Sequence, residues 1–188
     1  MRRGFLAIGV GMWGLLALPA GAQDRSDSAE VLFAPTHDKR LVQERICREI
    51  AAARHEIVVA VYQFTSRQLA EALVRAQQRG VEVRVLLDGN QVAEGGAFAE
   101  AVKTLANGKV SVRKVFAAGR DKKGKSSARF HHKFCVIDGN RLLTGSYNWT
   151  VQGDTDNHEN VLLLSNRDLA HQYETRFETI WQDSRITE

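Results

Sequence analysis

Long apolar runs are nearly absent from this sequence, and the one exception lies at its N-terminus. Two arginines precede an apolar run over residues 5–18, and Ala-Gly-Ala at 20–22 supplies the small residues of a cleavage site. This order is typical of a secretory signal peptide cleaved after Ala22. The alternative is a retained membrane anchor, although the run is short and interrupted by glycine. No other stretch is apolar enough to span a bilayer. Residues 23–188 are therefore expected to form one periplasmic or secreted domain without stable membrane association.

Cysteine is equally scarce, with only Cys47 and Cys135 in the chain. Export would permit a disulfide between them. However, Cys135 falls in a predicted core strand, and Cys47 lies near the apolar face of a predicted helix. We therefore expect two small buried side chains, and a disulfide remains the alternative because the sequence does not give the bonding geometry.

The chain also has little excess charge. It contains 26 Lys and Arg and 22 Asp and Glu. The leader removes two of the basic residues, so 24 remain and the net charge falls to +2. The overall pI is then weak evidence for nucleic-acid binding. Residues 117–129 alone carry +4, are rich in Gly and Ser, and lack periodicity, which predicts a basic loop. Its candidate phosphate-binding residues are Arg120, Lys122, Lys123, Lys125 and Arg129.

Apolar periodicity predicts strands that alternate with helices. The predicted strands are 30–35, 56–64, 81–88, 109–116, 130–138, 141–145 and 160–165, and the predicted helices are 39–54, 65–80, 93–106 and 166–182. The helix at 65–80 has Thr65 or Ser66 as its N-cap and Gly80 just beyond its end. This pattern predicts an α/β fold, a single-domain mixed β-sheet flanked by helices on both faces.

A hairpin at 130–145 places polar residues beside this core. With a two-residue loop at Gly139-Asn140, Lys133 lies opposite Ser146 and His131 lies opposite Asn148, all on one face. A loop at 138–139 would preserve this arrangement, whereas a three-residue loop would destroy it.

The four residues of this patch suit an oxyanion. Lys133 supplies positive charge, Ser146 and Asn148 supply donors, and a neutral His131 supplies a nucleophilic nitrogen. No carboxylate cluster with metal-ligand spacing accompanies them. This composition favours covalent catalysis by His131 over a metal-activated water, with no cofactor.

The spacing His131-x-Lys133, Asp138, Gly145-Ser146-x-Asn148 resembles the signature of the phospholipase D superfamily. The resemblance implies the phospholipase D/nuclease fold. The single motif copy, the short chain and the leader most resemble the small bacterial secreted endonucleases of that superfamily.

The resemblance also implies a role for each position. His131 would attack phosphorus and form a phosphohistidine, while Lys133, Ser146 and Asn148 would hold the non-bridging oxygens. Glu159 matches a downstream glutamate that orients the nucleophilic imidazole. Asp138 belongs to the motif, but because it begins the hairpin turn we assign it more to structure than to chemistry.

The motif occurs once, although the family reaction uses two histidines, one as nucleophile and one as acid. The chain therefore resembles members that dimerise, and we expect a functional homodimer in which a two-fold axis brings both copies of His131 to one phosphate. The two imidazoles would titrate as a coupled pair.

Three functions compete at this stage. The basic loop favours a phosphodiesterase acting on nucleic acid, a non-specific endonuclease for DNA with RNA as the alternative substrate. A phospholipase D-type hydrolase of phospholipid head groups should present an apolar docking surface, and the sequence shows none. A non-enzymatic nucleic-acid-binding protein would not need the complete set of catalytic positions.

Overall fold

The computed structural model describes residues 27–35, 41–117, 119 and 128–183. The predicted leader at 1–22 lies outside these residues, and so do Arg120, Lys122, Lys123 and Lys125. Within the described ranges, every helix is too short or too polar to cross a membrane.

Seven strands of the described part of the chain form one mixed sheet in the order β1-β7-β6-β5-β2-β3-β4. The strands are β1 (Ser28–Ala34), β2 (Glu56–Val61), β3 (Glu82–Asp88), β4 (Ser111–Val115), β5 (Lys133–Ile137), β6 (Arg141–Gly145) and β7 (Glu159–Ser165). β2, β3 and β4 are parallel, and all other pairs are antiparallel.

Six helices in the described ranges accompany the sheet: α1 (Leu41–Ala52), α2 (Arg67–Gln78), α3 (Gly89–Ala93), α4 (Ala97–Asn107), α5 (Val151–Thr155) and α6 (Arg167–Trp181). Ser66, one of the two predicted N-cap candidates, is the N-cap of α2 and accepts a hydrogen bond from the Leu69 N–H. The predicted helix at 93–106 is in fact α4, preceded by the separate short α3. Neither α3 nor α5 was predicted, because a five-residue helix shows little periodicity.

The core lies on both faces of the sheet. One apolar cluster joins the sheet to α1, α2 and α4 and includes Ile50, Leu73 and Leu105. A second cluster joins the opposite face to α6 and includes Phe177, which is fully buried. β2 is apolar on both faces because it lies between these two layers. The predicted fold class, a single-domain mixed sheet with helices on both sides, is confirmed.

The strand directions gather several chain segments at one end of the sheet, which we call the site end. It contains the carboxyl ends of β2, β3, β4 and β6 and the amino ends of β5 and β7, because Val61 pairs with Lys133 and Gly145 pairs with Val161. Ligands of open α/β sheets commonly bind at the carboxyl ends of parallel strands.

The predicted hairpin register is wrong by one residue. Ile137 pairs with Arg141, so the loop has three residues, Asp138, Gly139 and Asn140. Asp138 and Gly139 adopt φ values of +51° and +63°. The loop is longer than predicted because the Asp138 carboxylate is bonded to the backbone of residues 54–56. The face-sharing of Lys133 and Ser146 therefore cannot come from strand pairing.

Both cysteines are free, in agreement with the expectation of small buried side chains. Cys135 is buried in β5, and Cys47 is half-buried on α1. Burial raises the pKa of both thiols, which keeps them protonated at neutral pH.

Candidate active site

The segment before β5 crosses the site end and carries His131 with it. The Phe130 N–H donates to Asp88 Oδ2 at 2.7 Å, which fixes the segment at the end of β3. The Tyr62 N–H donates to the His132 carbonyl at 2.8 Å, which fixes it at the end of β2. Two strand ends thus hold the backbone on either side of His131.

The His131 ring is exposed and lies against Tyr62, with 4.6 Å between the ring centroids. Lys133 Nζ lies 3.1 Å from Nδ1 and 3.3 Å from Nε2 of this ring. Partial burial and the charge of Lys133 lower the pKa of His131, and the more distant Asp88 only partly opposes them. The imidazole is therefore neutral at neutral pH, which is the form that acts as a nucleophile.

Lys133 is half-buried at the start of β5. Its ammonium also donates to the His131 carbonyl at 3.2 Å and lies 5.4 Å from the centroid of the Tyr62 ring. Burial lowers the pKa of Lys133, while the charge of Glu159 acts in the opposite direction. Lys133 thus provides a positive charge that an anion can approach from solvent.

Gly145 lets β6 end close to β7. A Cβ at this position would lie 2.2 Å from the Asn160 carbonyl oxygen, a distance that no side chain tolerates. Ser146 follows, outside the strand, and its hydroxyl donates to Glu159 Oε2 at 2.5 Å. The hydroxyl oxygen also accepts from the Asn160 N–H at 3.1 Å. The Glu159 charge also acts on Lys133, so the bond to Glu159 places Ser146 on the Lys133 side of the sheet. The close approach of Gly145 to Asn160, and not the strand register, makes this bond possible.

Glu159 does not contact His131 within the described chain. One carboxylate oxygen accepts from Ser146, and the other accepts from Asn157 Nδ2 at 3.4 Å. The orienting role that the family resemblance implies for Glu159 is therefore not formed inside a single subunit of this structure.

Asn148 lies on the segment that runs beside the end of β2. The Trp149 N–H donates to the Gln63 carbonyl at 3.0 Å, next to Tyr62. The Asn148 side chain is half-buried, and its Oδ1 has no hydrogen-bond partner among the described residues. A buried polar atom without a partner is a common feature of a binding site, because a ligand can satisfy it.

Asp138 lies at the opposite end of β5 from Lys133, so the structure does not bring it to the other motif residues. Its carboxylate accepts backbone N–H groups of Arg54 at 3.0 Å, His55 at 2.8 Å and Glu56 at 3.1 Å. Burial opposes ionisation, but these three bonds outweigh it and lower the pKa of Asp138. The geometry assigns Asp138 to the structure of the hairpin turn.

Of the five basic-loop candidates, only Arg129 is described. It is exposed beside His131, and its guanidinium donates to the Ala128 carbonyl at 3.2 Å. His132 points the other way from His131, into the α6 layer. Its ring packs edge-on between Phe130 and Phe134, with centroid distances of 5.2 and 5.5 Å.

Sequence reasoning missed two residues of the site. Tyr62 supports the imidazole, and the fully buried Asp88 caps α3 and holds the Phe130 backbone. Asp88 carries a recognisable signal, since it is an acidic residue at the end of an apolar strand and precedes glycine. Tyr62 carries none, because aromatic residues are common in strands. In the described ranges, no three His, Cys, Asp or Glu side chains form a group that could hold a metal ion.

Comparison with known protein families gives one match across most of the chain. Residues 46–181 match the family described as cardiolipin synthase, PLD-like domain. The matched region contains all six motif positions and Glu159.

Curated relatives also match. Mitochondrial cardiolipin hydrolase from Xenopus tropicalis is 34% identical over 139 residues, or 74% of this chain and 60% of that protein. The human protein of the same name is 32% identical over 143 residues, or 76% of this chain and 52% of that protein. The chain thus spans about half to three-fifths of the length of these relatives.

Two solved structures share the fold across nearly their whole length. Nuc from Salmonella typhimurium, a phospholipase D family member, matches with a TM-score of 0.74 and 25% identity, covering 87% of this chain and 99% of that one. NucT from Helicobacter pylori matches with a TM-score of 0.76 and 18% identity, covering 86% and 99%. The motif, the fold and the family match agree, and the chain belongs to the phospholipase D superfamily.

Proposed function

We propose that this chain is a phosphodiesterase that cleaves nucleic acid, DNA first and RNA as the alternative, without a metal ion and with little sequence preference. The observation that carries the proposal is the neutral His131 imidazole held beside the Lys133 ammonium at the open end of the sheet. A nucleophile and a cation at one exposed point suit attack on an anionic phosphodiester.

The reaction would proceed in two displacements. A ring nitrogen of His131 attacks phosphorus, and the bond from phosphorus to the leaving oxygen breaks, which gives a phosphohistidine. Lys133, Ser146 and Asn148 stabilise the non-bridging oxygens during this step. Water then attacks the phosphohistidine and releases His131 with a phosphomonoester product.

A second imidazole would complete the proton transfers. The leaving oxygen needs a proton in the first step, and the attacking water must lose one in the second. The motif occurs once in the chain, so we propose a homodimer in which His131 of the partner subunit fills this role. A two-fold axis at the site end would bring the two rings to one phosphate.

The proposed location is the periplasm or the exterior of the cell, after cleavage of the leader at Ala22. Residues 1–22 have the charge and hydropathy pattern of a signal peptide, and this supports export. Western blotting of fractionated cells would detect the processed chain outside the cytoplasm, and a full-length chain confined to the membrane pellet would contradict export.

Hydrolysis of a phospholipid is the second candidate function. The name of the curated relatives, mitochondrial cardiolipin hydrolase, favours it, because about three quarters of this chain matches them. Cardiolipin also contains phosphodiesters, so the same His131 chemistry applies to it. The two candidates therefore differ in what surrounds the phosphate and not in the reaction.

One experiment distinguishes these candidates. The purified residues 23–188, in excess EDTA, are incubated separately with plasmid DNA, RNA and cardiolipin vesicles, with His131→Ala as the matched control. We expect DNA cleavage by the wild type that the variant lacks and that raised salt inhibits. Lipid hydrolysis alone would favour the second candidate, and cleavage lost in EDTA but restored by Mg²⁺ would contradict the mechanism.

The homodimer has its own test. Specific activity should fall when the protein is diluted below the dimer dissociation constant, and the fall should coincide with monomer formation in analytical ultracentrifugation. A monomer that retains full activity at high dilution would refute the shared site.

A further inference from the structure

A cavity of about 280 Å³ adjoins His131 at the site end and has no role in the proposed reaction. It lies between the carboxyl end of β4, the segment 129–132 and α6. Phe116, Arg129 and Arg176 are among its lining residues, and so is His131 itself. A molecule bound through its phosphate at His131 could therefore extend directly into this space.

Phe116 gives the cavity an exposed aromatic face. It is 48% exposed, and the outer edge of its ring is closely packed. A Cβ on Gly89 would lie 2.5 Å from this ring, so the glycine makes room for it. Phe116 follows β4, and His131 lies over the end of β2, two strands away. Both residues line the same cavity.

Arg129 and Arg176 give the cavity positive charge. Both side chains are exposed, and in the described part of the chain neither guanidinium forms an ion pair with a carboxylate. After burial, the charge of Arg176 is the largest influence that lowers the pKa of His132, which places this guanidinium close to the cavity wall. Because neither arginine has a carboxylate partner among the described residues, their donors are available to an anion, although Asp183 also lines the cavity.

We propose that this cavity binds the nucleotide next to the scissile phosphate, with Phe116 stacking on its base and Arg176 and Arg129 holding its phosphate. The inference rests on the proposed phosphodiesterase function and specifies its substrate as single-stranded nucleic acid, because a paired base does not expose its face for stacking. Aromatic stacking with backbone cations is the usual means of binding single strands without reading sequence.

Three kinds of substrate with a common leaving group, five compounds in all, test the proposal. Bis(p-nitrophenyl) phosphate has no nucleotide. A p-nitrophenyl ester of a thymidine dinucleotide, prepared as both the 3′ and the 5′ ester, fills the flanking position. The third kind is the same pair of esters without the base of the nucleotide next to the scissile phosphate. Release of p-nitrophenolate gives kcat and KM for each.

The stacking role predicts a non-additive result. Removing the flanking base should lower kcat/KM of the wild type roughly 5- to 100-fold for one of the two esters, which matches the measured range for base stacking. On the intact ester, Phe116→Ala should lower kcat/KM by a similar factor. On the ester without the base, kcat/KM of Phe116→Ala should be within twofold of the wild-type value. Phe116→Trp should restore most of the activity on the intact ester.

The phosphate-binding role predicts a change in salt dependence. Arg176→Gln should raise KM for the dinucleotide ester about tenfold. It should also reduce the slope of log kcat/KM against log salt by about 0.7, the value for one phosphate contact on a single strand. Arg176→Lys should retain the slope. Arg48→Gln is the matched control, an exposed arginine on α1 across the sheet, and should change neither quantity.

The outcomes separate the inference from the function on which it rests. If the wild type and His131→Ala release p-nitrophenolate equally slowly from every substrate, the proposed function fails. If the wild type is active but base removal has no effect on either ester, the inference alone fails. An equal loss on all substrates in Phe116→Ala and Arg176→Gln would indicate a structural role and overturn it. If Phe116→Ala or Arg176→Gln lost more activity on cardiolipin vesicles than on the dinucleotide esters, that result would also overturn the inference.

Discussion

Replacing Asp138 by asparagine should reduce stability but not catalysis, although Asp138 belongs to the family motif. In the wild type, Oδ1 accepts the N–H groups of His55 and Glu56, and the Arg54 N–H is shared between Oδ2 at 3.0 Å and Oδ1 at 3.2 Å. Asparagine can preserve the bonds to Oδ1, but it presents an amide donor in place of Oδ2, the nearer acceptor of the Arg54 N–H. It also tolerates the φ of +51° at this position.

The magnitude follows from these contacts. Weakening the bond from the Arg54 N–H and removing the negative charge that strengthens all three bonds should lower the free energy of unfolding by about 2 kcal/mol at pH 7. Asp138→Ala loses all three bonds and adds a penalty for positive φ, so we expect a loss of about 4 kcal/mol. Asp168→Asn, an exposed carboxylate in the first turn of α6, is the matched control and should cost about 0.5 kcal/mol.

The stabilisation by Asp138 should depend on pH in one direction. Because its folded pKa is lowered, the contribution is fully present above the ordinary carboxyl pKa and is lost as pH falls through the folded value. Urea unfolding followed by circular dichroism should therefore show the unfolding free energies of the wild type and Asp138→Asn converging as the pH falls below the ordinary carboxyl pKa of about 3.9.

The activity of the folded variant decides the role of this residue. Asp138 is about 17 Å from Lys133 along β5, too far to touch the reacting phosphate. We expect kcat of Asp138→Asn within twofold of wild type at 25 °C. A tenfold loss of kcat with unchanged stability would refute the structural assignment.

Three further predictions follow from the site and its surroundings. The pH profile of kcat/KM should be bell-shaped, with its acidic limb below the ordinary histidine pKa, because the pKa of His131 is lowered; a flat profile would argue against histidine catalysis. Gly145→Ala should destabilise the fold by about 2 kcal/mol and reduce kcat, since its Cβ would overlap the Asn160 carbonyl; unfolding and rate measurements at one temperature would detect both changes, and wild-type values would contradict the close approach. Burial and the nearby charge of Glu56 raise the pKa of Glu174 to about 7, so the fold should lose on the order of 1 kcal/mol as pH rises from 5 to 8, and Glu174→Gln should abolish that loss in urea unfolding.

Much of the fold could be predicted because local patterns and tertiary contacts agree. The apolar run in β2 and the apolar periodicity of α2 and α6 are visible in the sequence, and the structure buries those same residues. The short helices α3 and α5 could not be predicted, because their caps, Asp88 and Thr150, act within only one turn. The predicted hairpin register was also wrong, because the loop at Asp138 is fixed by a hydrogen bond from His55, more than 80 residues away in the chain.

The candidate site divides in the same way. The spacing of His131, Lys133, Ser146 and Asn148 was sufficient to identify the superfamily, because reactive groups at fixed offsets are rare by chance. The sequence could not predict the contacts that hold these residues in position. Tyr62 under the imidazole, Asp88 holding the Phe130 backbone and the bond from Ser146 to Glu159 all join segments that are distant in the chain.

The sequence by itself determined the class of fold, the identity of the chemical groups and the family, because these depend on residue type and short-range spacing. Only the tertiary structure decided where those groups lie. It bonded the Asp138 carboxylate to the backbone of residues 54–56, brought Ser146 to the site end through the close approach at Gly145, and placed Phe116 and Arg176 beside His131. The physical reason is that strand pairing and backbone contacts between distant segments fix these positions, and no local pattern encodes such contacts.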